Sequence, residues 1–93
     1  MDEIASFNQI FAESARAGLH LNSFCQLQNG SFRANFSNPR LGMHYDCAEH
    51  ERPFDALLKA FIIAFGADQI VRRHKGETDV QFLSKPTDDP LFA

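Results

Sequence analysis

The chain has no tryptophan, one tyrosine and only two cysteines among its 93 residues. Two thiols permit at most one bridge, which excludes a disulfide-built scaffold. Neither belongs to a Cys-x-x-Cys pair of the kind that organises a small zinc domain. Long apolar runs are missing too. The longest, Ala60 to Phe65, falls far short of the roughly 20 residues that span a bilayer, so no membrane association is expected. No hydrophobic signal segment precedes the first helical pattern, and Met1-Asp2-Glu3 is acidic where a signal would be basic. The expected location is therefore the cytoplasm, with both thiols reduced, and the Asn-x-Ser matches at Asn29 and Asn35 are chance. Basic excess is also absent. A formal net charge of −3 argues against direct nucleic-acid binding, which needs a cationic face to release phosphate counterions. Internal repeats and low-complexity stretches are lacking.

What the chain does hold is phenylalanine, in ten copies. Each one buried contributes roughly 1.5–3 kcal/mol, enough to support a core in a domain near the lower size limit. The expected organisation is one α+β domain over residues 1–85 and a flexible tail over 86–93.

Hydrophobic spacing places a helix over Asp2 to Ala17, with Ile4, Phe7, Ile10, Phe11 and Ser14 on one stripe. Acidic residues at its start suit the positive end of the helix dipole, and Gly18 is a natural C-cap. From Leu19 to Gln28 the pattern alternates, with Leu19, Leu21, Ser23, Cys25 and Leu27 on one face; Phe24 falls on the polar face. Asn29-Gly30 is a strong hairpin signal. The return strand aligns Phe32, Ala34 and Phe36, and Ser37-Asn38-Pro39-Arg40 makes a second turn. A third strand then aligns Leu41, Met43, Tyr45 and Cys47 against Gly42, His44 and Asp46.

Pro53 suits the first turn of a second helix, expected to stop at Gly66 with Phe54, Leu57, Leu58, Phe61, Ala64 and Phe65 on its core stripe. Asp55, Ala56, Lys59 and Ile63 face the other way, and Ile63 beside Ile62 marks a surface for self-association, giving a homodimer. Ala67 to His74 supplies a further turn or two, and Asp79 to Ser84 a short strand. The fold expected is thus α+β: helix, three-stranded antiparallel meander, helix, with both helices on one face and a short C-terminal helix/strand extension. The open face of the sheet would carry His20, Asn22, Phe24, Gln26, Arg33, Asn35 and His44.

Concentrated chemistry lies in one place, Tyr45-Asp46-Cys47-Ala48-Glu49-His50-Glu51-Arg52-Pro53-Phe54-Asp55. A zinc site from Cys25, His44, Cys47 and His50 has the right ligand types, but His44 and Cys47, three apart on a strand, point to opposite faces. Cys47 as a nucleophile is disfavoured by Asp46, Glu49 and Glu51, which raise a thiol pKa. The carboxylates Asp46, Glu49, Glu51 and Asp55 occupy a strand end, a loop and a first helical turn rather than a cleft. They fit a docking patch for a basic partner, where charge speeds encounter and sets orientation. Arg72-Arg73-His74-Lys75 suits the negative end of a helix dipole better than phosphate.

Helix, three antiparallel strands, helix is the element order of double-stranded-RNA-binding domains. That family carries a lysine cluster at the start of its second helix. Here the matching stretch, Glu49 to Asp55, is acidic and would repel RNA. Over residues 2–65 the chain resembles, in size, acidity and element order, the small phage proteins that inhibit CRISPR effectors. The stretch from Phe32 to Phe65 also looks loosely like antitoxins of the HicB type, without their Gly-Asp-Thr entry to the helix. The resemblance to the inhibitors implies a non-enzymatic interaction module, encoded by a phage or mobile element, that binds a host protein at its basic nucleic-acid-binding surface. On this expectation Asp46, Glu49, Glu51 and Asp55 make the contact, Phe24 anchors it, and no cofactor or metal takes part. The alternatives are a metal- or thiol-dependent domain using His44, Cys47 and His50, and a homodimeric antitoxin-like regulator.

Overall fold

A computed structural model describes residues 4–74. The first helix, α1, spans Phe7–Ala17. Its start is set by side chains rather than by acidic residues, since its first turn contains none. Ser6 is the N-cap: its Oγ accepts the Gln9 N–H at 3.2 Å, and Gln9 Oε1 reaches back to accept the Ala5 N–H at 2.6 Å. This reciprocal pair satisfies donors that a helix start otherwise leaves open, and it places the start at Phe7 instead of Asp2. Gly18, at φ 76°, ends the helix as expected, and the Leu19 N–H then donates to the Ser14 carbonyl at 2.8 Å.

Strand β1 (His20–Gln26) pairs antiparallel with β2 (Phe32–Asn38). The loop between them holds Gln28-Asn29-Gly30, with Gly30 at φ 93° and Leu27 N–H donating to Ser31 O at 2.7 Å. A three-residue loop ending in a left-handed glycine is a standard way to close a hairpin. The strand register shifts between Leu21 and Ser23. That bulge at Asn22 reverses the side-chain parity of everything after it. Phe24 is therefore partnered with Ala34 on the helix-covered face, not on the open one, and Gln26 goes with it. Ser23 and Cys25 take their places on the open face, opposite Asn35 and Arg33.

The third expected strand is broken in two. β3 (Met43–His44) and β4 (Ala48–His50) both pair antiparallel with β2. Between the paired positions Ser37↔His44 and Ala34↔Ala48, the two residues Asn35 and Phe36 face three, Tyr45, Asp46 and Cys47. One extra residue turns Cys47 outward and brings Ala48 in, so Tyr45 and Ala48 are buried while Cys47 is exposed. Both cysteines, aligned by strand alternation with the apolar residues of their strands, are exposed instead, Cys47 for this reason and Cys25 because of the Asn22 bulge.

Helix α2 runs uninterrupted over Pro53–His74. Gly66 does not stop it. A mid-helix glycine costs about 1 kcal/mol relative to alanine, and the burial of Asp68, the second residue beyond it, holds the helix together across it. The buried stripe is Ala56, Leu57, Ala60, Phe61, Ala64 and Asp68. Ala56 is thus buried rather than wet, and Ile63 packs partly into the core, leaving Ile62 exposed.

Phe61 meets Phe36 edge-on at 6.0 Å between ring centroids, and Phe7 of α1 meets Phe24 at 6.5 Å. Phe36 and Phe24 share one face of the sheet, so both helices cover that face. The core gathers Ile10, Leu19, Ala34, Phe36, Tyr45, Ala48, Leu57, Ala60, Phe61 and Ala64. The architecture is α+β with two helices on a small antiparallel sheet. No helix among the described residues is long and apolar enough to cross a membrane. The expected strand over Asp79–Ser84 and the tail over 86–93 lie outside the described residues.

Candidate functional site

β4 delivers the chain into α2, and this junction holds the four expected carboxylates. Asp46 lies in the bulge, Glu49 on β4, Glu51 in the connection and Asp55 in the first turn of the helix. All but Asp55, which is half-buried, are exposed. Two of them are engaged. Arg33 donates to Glu49 from Nε at 3.1 Å and from an Nη at 2.8 Å, and Arg52 Nε lies 2.5 Å from Asp55. The first pair raises the Arg33 pKa, chiefly through the hydrogen bond, but both partners are about half exposed and solvent screens them. His50 Nδ1 accepts the Arg52 N–H at 3.1 Å. An accepting nitrogen carries no proton, so its 3.9 Å approach to Asp55 is not an ion pair. Asp46 and Glu51 have no cationic partner among the described residues. The free negative charge of the junction is therefore concentrated on those two, a narrower set than the sequence suggests.

An aromatic cluster adjoins the acidic junction. Phe7 contacts Phe54, the second residue of α2, edge-on at 5.5 Å, and Phe24 contacts Phe32 at 6.4 Å. Phe32 in turn is the strand partner of His50. Phe7 of α1 packs against Phe24 of β1, and Phe24 keeps 37% of its surface exposed. On either side of Ser31 and Phe32 lie two shallow depressions. One, of about 530 Å³, is lined by Ser31, Glu49, His50, Glu51 and Arg52; the other, of about 130 Å³, by Phe24, Cys25, Gln26 and Phe32. Phe24 is thus still available as an anchor, from the rim of the helix-covered face.

The structure does not bring the residues of the metal reading together. His44 pairs with Ser37 on the open face, whereas His50 pairs with Phe32 on the helix-covered face. Among the described residues no three His, Cys, Asp or Glu side chains converge to hold a metal ion.

The most ordered polar chemistry lies elsewhere, around Asp68, and sequence reasoning missed it. Asp68 is 1% exposed. Its Oδ1 accepts from Asn38 Nδ2 at 2.9 Å and from the Tyr45 hydroxyl at 2.7 Å, and its Oδ2 from Arg72 Nε at 2.6 Å. Arg72 extends the network by donating to the Ala17 carbonyl at 2.6 Å, closing the C-terminus of α1. Burial pushes the Asp68 pKa up, but the hydrogen bonds from Arg72, Tyr45 and Asn38 and the charge of Arg72 outweigh it and hold the group ionised. The Tyr45 hydroxyl is pushed well above its ordinary range by burial first and then by its bond to Asp68. Two signals could have revealed this. Asp68 continues the core stripe Leu57–Phe61–Ala64, and Arg72 follows it at i+4. The network ties β2, the bulge, α2 and α1 into one unit, with every acceptor oxygen used. It positions the acidic junction rather than forming an open site.

Comparisons with family models, curated proteins and solved structures return no match.

Proposed function

We propose that this protein is a non-enzymatic interaction module whose acidic end docks on the basic nucleic-acid-binding surface of a host protein and blocks it. It would act in the manner of the phage inhibitors of CRISPR effectors that it resembles. One observation carries the reading: a half-exposed phenylalanine cluster, Phe7 and Phe24, leads through Phe54 and Phe32 to a junction where Asp46 and Glu51 have no cationic partner among the described residues. An apolar centre beside a polar rim is the usual anatomy of a protein interface. Aromatic anchors supply most of the energy of such contacts, while unpaired carboxylates select a cationic partner and speed encounter. Charge is also segregated along α2. Asp55 sits in its first turn and Arg72, Arg73 and His74 in its last, about 26–29 Å away along the axis at 1.5 Å per residue, so these cations are screened from the first turn of the helix.

The experiment is capture from a bacterial lysate with wild-type bait and with bait carrying Asp46→Lys and Glu51→Lys. Neither residue has a partner to lose among the described residues, so the melting temperature of the variant should match that of wild type. A nucleic-acid-handling protein retained by the first bait and lost from the second supports the reading. Identical retention by both would sink the assignment of the acidic junction.

A further inference from the structure

Helix α2 opens on a cap in which two side chains have exchanged roles. Arg52 precedes Pro53, and its carbonyl accepts the Ala56 N–H at 3.0 Å, so Arg52 is the N-cap and Asp55 the third helical residue. In a capping box the acidic side chain at that third position accepts the N-cap amide. Here the Asp55 carboxylate is turned to the Arg52 side chain, with Nε 2.5 Å from Oδ2. The Arg52 amide goes to His50 instead, whose Nδ1 accepts it at 3.1 Å. The same Nδ1 stands 3.9 Å from Asp55 Oδ2. One ring nitrogen thus has a donor and an acceptor within reach, and it can serve only one of them at a time.

We infer that His50 is a proton-operated switch at the entry to α2. With its proton on Nε2, the neutral ring accepts the Arg52 N–H at Nδ1. A second proton, taken from solvent, makes Nδ1 a donor. It then meets the Arg52 N–H donor to donor, and the bond between them is lost. Asp55 is the acceptor in range: a swing of about 1 Å at Nδ1 closes the 3.9 Å gap to the roughly 2.8 Å of a charge-assisted hydrogen bond. One hydrogen bond is broken and one is made, between groups already in place, and a local protonation with two alternative partners is the kind of event that biases a two-state element. Histidine is the side chain whose ordinary titration lies between pH 5 and 8.

β4 packs on β2 and on α2. The titratable and charged groups that these elements bring round His50 are Glu49 and Glu51 on its own segment, Arg33 on β2, and Arg52, Asp55 and Lys59 at the start of α2. Arg33 is held by Glu49, Arg52 is largely exposed, and Lys59 is exposed one turn beyond Asp55. The His50 side chain is 35% exposed, so a proton reaches it without unfolding. The charged ring adds a cation beside Glu51 and offsets part of the negative charge of the junction. Acid pH therefore weakens a contact made there, a consequence that rests on the function proposed above. The exchange of partners at His50 does not rest on it.

Nuclear magnetic resonance of the isotopically labelled full chain at about pH 8 and about pH 5 tests it. At the higher pH the His50 ring should carry its proton on Nε2 and none on Nδ1, with a coupling across the hydrogen bond to the Arg52 nitrogen. At the lower pH both ring nitrogens should be protonated and that coupling gone. Exchange of the Arg52 amide with solvent, corrected for the intrinsic effect of pH, should then be about three- to tenfold faster. The Asp55 carboxyl carbon signal should move over the same pH interval as the ring. In His50→Ala the Arg52 amide should exchange at one corrected rate at both pH values. An Arg52 amide that keeps its protection while the ring gains its proton overturns the switch, and so does a proton found on Nδ1 at pH 8. An Asp55 signal that stays still overturns the exchange of partners. The spectra are of the protein alone, so their outcome is separate from that of the capture experiment.

Discussion

Replacing Asp68 with alanine should remove a large part of the stability of this domain. The carboxylate is 1% exposed and accepts from Asn38, Tyr45 and Arg72. Its loss leaves the Tyr45 hydroxyl and the Asn38 amide without an acceptor in sites that are 7% and 1% exposed. Each orphaned buried donor costs about 1–3 kcal/mol. Breaking a buried ion pair from one side costs about 3–5 kcal/mol, but the Arg72 side chain is one third exposed and turns to water, which lowers that term. A net loss of about 4 kcal/mol follows, against the roughly 5–14 kcal/mol expected of a domain this size. Urea denaturation followed by far-ultraviolet circular dichroism reads it as a fall in midpoint at constant slope. Asp68→Asn keeps one accepting oxygen but sets an amide donor against Arg72, so about half the loss is expected. Asp46→Ala, which removes an exposed carboxylate with no partner among the described residues, should stay within about 0.5 kcal/mol. If Asp68→Ala lost less than about 1 kcal/mol, the network would not be what holds α2 to the sheet and to α1.

The same network sets the pH limits of the fold. Asp68 has a lowered pKa, so the stability it contributes is present above the ordinary carboxylate value and is lost as pH falls through its folded-state value. Tyr45 has a raised pKa, so its contribution is present below about pH 10 and is lost as pH rises through the folded-state value. As the chain has one tyrosine and no tryptophan, near-ultraviolet tyrosinate absorbance reports Tyr45 alone. Ionisation should appear only with unfolding, and a reversible titration near pH 10 in the folded state would count against the buried hydroxyl. Gly18→Ala forces a left-handed alanine and puts its Cβ 3.3 Å from the Arg72 guanidinium. A loss of about 1–2 kcal/mol is expected, measured as above, and a neutral result would exclude a close approach of Arg72 to the α1 terminus. Both cysteines should react with a thiol reagent in the folded protein at rates close to those in denaturant; protection of either would contradict its outward placement.

Local chemistry was the legible part of this chain. Gly18 needs a left-handed backbone and Asn29-Gly30 a tight loop, and each announces its element whatever the rest of the chain does. Ten phenylalanines and their spacing likewise announced the two core-facing helices and the α+β class. The bulges at Asn22 and at Asp46–Cys47 left no such mark. A single extra residue in a strand changes no composition, yet it reverses which side chains face the core, and so Phe24, Cys25 and Cys47 were assigned to the wrong sides. Gly66 misled in the opposite way: its local preference to end a helix is real, and the buried anchoring of Asp68 overrides it. Asp68 itself is invisible to any rule that puts charges outside, because its burial depends on Asn38 and Tyr45, which lie 30 and 23 residues away in the chain. The stretch that carries the four carboxylates, from the strand end to the first turn of α2, could be read from the sequence. That Arg33 engages Glu49 from a neighbouring strand could not be read without the register.

Whether the acidic end occupies a surface built for nucleic acid is read by competition. The host protein retained by the wild-type bait is immobilised with this protein bound, and DNA or RNA is titrated in at constant salt. The account predicts release in proportion to added nucleic acid, with binding that weakens steeply as salt rises. Retention unaffected by nucleic acid would contradict it.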